Sequence, residues 1–238
     1  MIHHVERAII LAAGIGERLR PVTFQTPKPL IRVHGKRLIE SLIQNLRQNN
    51  IREIYVVVGY MKESFSPLAE KYPDVTLIEN PYYDRSNNIS SLYCAREHLE
   101  NAMILDSDLI VYDPAVLAPE FERSGYNVVW TEKPTDEWLL NVKDGTVTGC
   151  SRGGAWGWQL YSISRWTAED GRKLRRHLET EFEEKQNRQI YWDDLALFCY
   201  PDSYSLGIRV ICSDDVIEIN SLEELAAIDR GYSSLLEK

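Results

Sequence analysis

The chain has 238 residues, with 27 Lys and Arg against 36 Asp and Glu, a formal net charge of −9 and a pI near 5.2. That length suits one large domain with a core that needs no disulfide staples, and 44% hydrophobic with 26% charged residues is an ordinary globular balance. The acidic balance argues against general nucleic-acid binding, no apolar run approaches the roughly 18 residues of a membrane span, and Met1 to Glu6 hold no signal-peptide core.

In chain order, Arg7 to Ala13 (RAIILAA) is an Ile-rich run ended by glycine, which predicts a buried strand. A loop rich in glycine and proline follows from Gly14 to Pro29. Arg37 to Asn50 places Leu38, Leu42, Ile43 and Leu46 on one helical face. Glu53 to Val58 predicts a second buried strand. Lys62 to Lys71 predicts a helix that Pro67 weakens or shifts. Val75 to Glu79 is a third strand, Ser90 to Leu99 a helix, and Ala102 to Leu105 a strand running into Asp106-Ser107-Asp108. Alternating strands and helices imply a parallel sheet wrapped by helices. Such sheets bind ligands beyond the carboxyl ends of their strands, where Gly14 and Asp108 both fall.

The second half is more mixed. Asn127 to Thr131, Trp138 to Val142 and Ala155 to Ile163 predict strands, and Asp144-Gly145 is a hairpin turn signal. Thr167 with Asp170 has the form of a capping box opening a charged helix to about Asn187. Ser221 with Glu224 is a second box, opening a C-terminal helix. There is no internal repeat, low-complexity tract or linker, so one domain with an insert is expected. Cys94, Cys150, Cys199 and Cys212 have no CxxC or metal-type spacing and read as reduced, mostly buried thiols of a cytoplasmic protein. His3, His4, His34, His98 and His177 form no constellation and read as surface or packing residues.

The charge is uneven. Arg18, Arg20, Lys28, Arg32, Lys36 and Arg37 form a basic island with no acidic residue between Arg18 and Arg37. Such an island in an acidic chain suggests a small polyanionic ligand. It overlaps the most informative stretch, LAAGIGERLRPVTFQTPKPL (Leu11 to Leu30). Gly14 and Gly16 remove side chains where backbone N–H groups must approach an anion, and Arg18 and Lys28 supply mobile positive charge. No Gly-Lys-Ser/Thr follows, so this is not a P-loop. Leu19 stands where a dinucleotide fingerprint has its third glycine.

The pattern LAAGxGxRxxPxT followed by TPKPL resembles the signature of the sugar-phosphate nucleotidyltransferase family, and more closely that of bacterial CTP:phosphocholine cytidylyltransferases. Supporting segments are Val58 to Glu63, Asn87-Asn88 before Ser91-Leu92-Tyr93, Asp106 to Asp108, Glu137-Trp138, Tyr191-Trp192-Asp193 and Glu218 to Asn220. The resemblance implies a Rossmann-like three-layer α/β/α sandwich, with a mixed, mainly parallel sheet and a small acceptor-binding insert. It implies one domain over 1–238, with a nucleotide-binding half to about 125 and an acceptor-binding half beyond. It implies transfer of CMP from CTP to phosphocholine, giving CDP-choline and pyrophosphate with Mg2+ as cofactor, in a monomer or homodimer that takes no nucleic acid or membrane.

The same resemblance assigns residues. Arg18 and Lys28 are catalytic. Leu11, Ala12, Ala13, Gly14 and Gly16, with Asn88, Ser90, Ser91 and Asp106, bind nucleotide. Asp108, Glu218 and Asn220 hold the metal; Asp106 either joins them or orients the loop. Asn220 stands where close relatives often carry aspartate. Trp138, Tyr191 and Trp192, with Asp193 or Asp194, form the acceptor cage, since a choline headgroup is held by aromatic faces and a nearby carboxylate. The phosphate nucleophile is anionic near neutral pH, its second pKa being about 6, so no general base is required. Rival readings are the same chemistry on a sugar 1-phosphate, phosphoethanolamine or 2-aminoethylphosphonate, a non-catalytic regulatory subunit of this fold, and a nicotinamide dehydrogenase. Retention of Arg18, Lys28 and Asp108 speaks against the regulatory subunit, and the missing third glycine against the dehydrogenase.

Overall fold

The computed structural model describes residues 1–236. Strand β1 (Arg7–Ala12) is buried almost throughout, as a strand covered on both faces must be. Ala8, Ile10 and Ala12 face one layer, and Ile9 and Leu11 face the other. Helix α1 (Leu38–Gln48) lays Ile39, Leu42, Ile43 and Leu46 against the first of these layers. Strand β2 (Glu53–Val58) runs parallel to β1. The helix expected from Lys62 is split: a 3-10 turn (Lys62–Phe65) leads into α2 (Ser66–Lys71). Pro67 lies in the first turn of α2, where its missing N–H would have had no helical partner. Strand β3 (Val75–Glu79) is parallel to β2.

Helix α3 (Ile89–Cys94) and a 3-10 turn (Arg96–His98) replace the single helix expected from Ser90. Strand β4 (Ala102–Asp106) joins the other side of β1 and brings Asp106 beside Leu11. After the short β5 (Leu109–Val111) come β6 (Gly125–Thr131), β7 (Thr135–Lys143), β8 (Thr146–Gly154) and β9 (Gly157–Trp166). Asp144 and Gly145, both at positive φ (50° and 72°), make the β7–β8 turn as their sequence predicts. Thr167 caps α4 (Ala168–Glu179) through the Asp170 N–H, but only half of the expected box forms. The Asp170 carboxylate instead takes the Ser124 hydroxyl at 2.7 Å. Strands β10 (Gly207–Val210) and β11 (Val216–Glu218) precede α5 (Leu222–Ile228), whose Ser221–Glu224 capping box is complete.

The main sheet has nine strands in the order β6-β10-β8-β7-β9-β4-β1-β2-β3, and β6 also pairs with β9. Strands β4, β1, β2 and β3 are mutually parallel, whereas β9 enters antiparallel to β4. The sheet is mixed, with its parallel character concentrated in the first half. Helices α1 and α2 cover one face, and α3 and α4 the other, giving three layers. Strand β9 pairs with β4 through Ile163 to Trp166, and with β7 through Trp158 and Gln159. The β7–β8 hairpin therefore stands beyond the carboxyl end of β4, as a wall over the edge where Asp106 lies.

A satellite core of Leu19, Ile31, Val33, Leu38, Ile219, Leu222 and Leu225 lies under the glycine loop. Leu19 is 1% exposed, and burying a leucine contributes about 2 kcal/mol. That peg ties the loop to α5. Cys94 and Cys150 are half-buried, but Cys199 and Cys212 are exposed, so burial of the thiols is only partial. His98 and His177 stack on Tyr55 and Tyr200, at 3.7 and 3.8 Å, as packing residues. No helix among the described residues is long and apolar enough to cross a membrane.

Candidate active site

The glycine loop leaves the carboxyl end of β1 and turns back at Gly16, whose φ of 70° lies in the left-handed region. A Cβ there would stand 3.0 Å from Thr23 Cγ2 and 3.2 Å from Lys28 Cβ, so a side chain is excluded by strain and by contact. The Thr23 hydroxyl donates to the Gly16 carbonyl at 2.9 Å, and the Tyr60 hydroxyl to the Thr23 carbonyl at 2.9 Å. Gly14 has nothing within 4 Å of where a Cβ would stand, so its backbone opens freely onto the cavity.

That cavity, about 390 Å3, is lined by Leu11, Ala13, Gly14, Gly16, Arg18, Lys28, Asn88, Ser91, Asp106, Asp108 and Asn220 among others. The structure thus brings together most of the residues that sequence assigned to phosphate, nucleotide and metal. Ala12, the last residue of β1, is absent from that lining; its side chain faces the α1 layer, and the contact expected of it is through its backbone. Ser90 lines an adjoining cleft with Ser86, Asn87, Asn88 and Asn80. Buried Asn80 was missed in the sequence. Its amide donates to the Ser90 and Ser91 hydroxyls at 3.0 and 3.1 Å, and its oxygen accepts the Tyr82 N–H at 2.8 Å. It ties the end of β3 to the start of α3. An asparagine just past a strand gives no sequence signal that separates this role from a turn.

The charged groups interlock. Lys28 Nζ lies 2.5 Å from Asp108 Oδ2, both side chains being 14% exposed. Arg18 donates to Asn220 Oδ1 at 3.0 Å, and the Asn220 amide donates to Glu218 Oε1 at 2.9 Å. Burial, then the neighbouring Asp108, Glu218 and Asp193 charges, hold the Asp106 carboxyl well above its usual range. Burial and then Asp108 push Glu218 up to about 8. Asp108 Oδ1 is buried without a hydrogen-bond partner. An orphaned carboxylate oxygen among crowded acids is an arrangement that a cation would relieve. Among the described residues no group of three or more His, Cys, Asp or Glu side chains is arranged to hold a metal ion by itself. A cation here would draw on Asp108, Glu218 and the Asn220 carbonyl, with substrate oxygens completing its shell.

A second cavity, about 370 Å3, shares Arg18, Asn88, Asp106, Asp108 and Asn220 with the first and adds Asp136, Glu137, Trp138, Leu160, Ser162, Tyr191, Asp193 and Glu218. Trp138 and Tyr191 meet edge to face, with centroids 5.6 Å apart. Trp192 does not join them. It is 3% exposed and packs against Trp166 and Tyr126, so this part of the expected cage is core. Three consecutive residues in a tight turn cannot all face one cavity. Of the two aspartates, Asp193 lines the cavity, while Asp194 turns away to accept the Tyr191 N–H at 2.9 Å. Asp136 and Glu137 are further lining carboxylates, which the sequence does not mark for the acceptor.

Residues 8–185 match the MobA-like NTP transferase domain. The 2-aminoethylphosphonate cytidylyltransferase of Lancefieldella rimae is 37% identical over 232 residues, covering 96% of this chain and 94% of that protein. The choline-phosphate cytidylyltransferase of Streptococcus pneumoniae is 37% identical over 227 residues, covering 94% and 96%. A solved structure of CTP:phosphocholine cytidylyltransferase from Streptococcus pneumoniae aligns with a TM-score of 0.85 at 32% identity, over 97% of this chain and 98% of that one. With a glycine loop, a basic pair and an acidic cluster at one sheet edge, the chain is a nucleotidyltransferase of the cytidylyltransferase type and belongs to the MobA-like NTP transferase family.

Proposed function

We propose that the protein transfers CMP from CTP to the phosphate or phosphonate of a small acceptor bearing a cationic nitrogen, and releases pyrophosphate. The observation that carries this reading is the meeting of two cavities at Arg18, Asp106, Asp108 and Asn220, one walled by the glycine loop and the other by aromatic rings and carboxylates. An acceptor oxygen bonds to the α-phosphorus while the bond to the bridging oxygen of pyrophosphate breaks, in line. Backbone at Gly14 and Gly16 and the Lys28 ammonium receive the triphosphate. Arg18, lining both cavities, can follow charge from one phosphate to the other. Asp108, Glu218 and Asn220 would hold Mg2+, which takes few protein ligands and keeps phosphate oxygens, as the unpartnered Asp108 Oδ1 invites. When bound it supplies charge neutralisation at the phosphates.

The acceptor cavity favours a primary ammonium, as in 2-aminoethylphosphonate or phosphoethanolamine. With Trp192 in the core, two rings remain, and Asp136, Glu137 and Asp193 offer oxygens to three N–H donors. A second reading, phosphocholine, draws on the Trp138–Tyr191 pair, whose ring faces suit a trimethylammonium group. The test is pyrophosphate release across four nucleoside triphosphates and these phosphate and phosphonate acceptors. CTP with a primary-amine acceptor is expected to give the highest kcat/KM. Turnover only with another nucleotide, or with none, would reject the reading. Preference for phosphocholine would select the second.

The Asp193 carboxyl adds a pH signature. Burial pushes it up to about 8, so it carries a proton at neutral pH and becomes an acceptor-pairing anion as pH rises. The acceptor KM is expected to fall roughly three- to tenfold between about pH 7 and pH 9. Asp193→Asn should flatten that slope. An unchanged slope would separate Asp193 from the acceptor.

A further inference from the structure

The geometry points to Arg152 as the positioning residue that assembles the acceptor cavity from its two separate walls; the inference rests on the functional reading above for what the cavity holds. Trp138 belongs to β7, and Tyr191 to the turn after α4, so nothing in the local chain fixes one against the other. Arg152 lies on β8 directly across the strand pair from Trp138. Its guanidinium carbon stands 5.0 Å from the Trp138 ring centroid and 5.0 Å from that of Phe198. The same guanidinium donates to Asp194 Oδ1. The Asp194 side chain is 3% exposed, and its other oxygen accepts the Tyr191 N–H. Arg152 is thus the charge partner of a buried carboxylate and the planar cation against the outer ring wall.

Neither Arg152 nor Asp194 is among the residues lining the cavity, so Arg152 acts through the groups it holds. One side chain links Trp138 by a cation–π contact and the Tyr191 backbone by way of Asp194. A lysine could keep the ion pair, but its compact ammonium cannot reach Asp194 and stay against both the Trp138 and Phe198 rings, which themselves meet edge to face 5.5 Å apart. With Arg152 occupying part of the Trp138 ring surface, the edge-to-face meeting with Tyr191 stays fixed toward the cavity. The consequence is selective. The glycine loop, Lys28 and Asp108 belong to other elements and are untouched by this clamp.

The experiment measures kcat and both KM values with the acceptor that the wild type turns over best. Arg152→Ala is expected to raise the acceptor KM roughly tenfold, since small misplacements of positioning groups carry costs of that order, with kcat and the CTP KM within about twofold. Arg152→Lys should recover part of the loss. An acceptor KM within about twofold of wild type, or equal damage to both KM values, would overturn the assignment. If Arg152→Ala does not fold, Arg152→Lys and Arg152→Gln carry the same comparison. The ligand-free protein supplies an arm independent of the acceptor. The Trp138 indole N–H resonance, assigned with Trp138→Phe, should shift in the Arg152 variant while that of Trp166 stays in place. If no acceptor is turned over at all, the functional reading fails, and an unmoved Trp138 resonance would overturn the clamp as well.

Discussion

Asp108→Ala is expected to lower cytidylyl transfer by roughly a thousandfold or more while the protein still folds. Asp108 sits on the turn between β4 and β5, and both cavities reach it. One of its oxygens holds Lys28 and the other has no partner, so the side chain is committed to charge rather than to packing. Its removal relieves repulsion on Asp106 and Glu218 and frees Lys28, and these effects oppose each other. The net change in stability should therefore stay small enough for the protein to remain folded. Pyrophosphate release and a thermal melt on the same preparation separate the two outcomes. The proposed cation site adds a sharper condition: chelation should silence the wild type, Mg2+ should restore it, and excess Mg2+ should not rescue Asp108→Ala. Residual Mg2+-dependent turnover near the wild-type level would remove Asp108 from the metal set.

The residues behind that expectation were legible in sequence because each lies at a change of pattern. The apolar run Arg7 to Ala13 stops at a glycine, and that at Ala102 to Leu105 stops at an acid. Strand ends on one sheet edge must lie near each other once the strands pair in parallel. Glu218 and Asn220, which alternate with Ile217 and Ile219, reach the same cavity, although the strand ends at Glu218. Their pairing with Arg18 was not legible, because 202 residues separate Arg18 from Asn220 and only the satellite core under Leu19 joins them.

The second half read less well. The strand Thr146–Gly154 was missed because TVTGCSRGG carries three glycines and no apolar run. Its order is supplied by pairing with Thr135–Lys143. Arg152 lies within that stretch and carries no sequence signal for the same reason. Trp192 was misplaced because composition identifies an aromatic-rich turn without saying which ring turns inward, a choice fixed by Trp166 and Tyr126 from distant strands. Local pattern thus marked residues that the fold gathers around one cavity, because they lie at strand ends. It did not resolve acceptor selectivity, which is built from long-range side-chain contacts.

Lys28→Ala is expected to reduce kcat/KM by roughly a hundred- to a thousandfold, with the larger share in kcat. The short 3-10 turn Lys28–Leu30 holds the side chain, with Pro29 and Leu30 buried beside it, and the Lys28 Cβ packs 3.2 Å from where a Gly16 side chain would begin. The ammonium is therefore delivered on a rigid base into the cavity that Gly14 opens. Without ligand it spends its charge on Asp108. A triphosphate bound in the same cavity, as proposed, would offer it a stronger anionic partner and leave Asp108 free to hold the proposed cation. Arg18 cannot substitute: it is exposed, reaches across to Asn220, and serves both cavities. Lys28→Arg should not restore full activity, because a forked guanidinium does not fit where a compact ammonium approaches one carboxylate oxygen. Steady-state kinetics of the two variants, with CTP affinity measured directly by calorimetry, decide the matter. A Lys28→Ala enzyme within about threefold of wild type in kcat/KM would return this lysine to the surface of the loop.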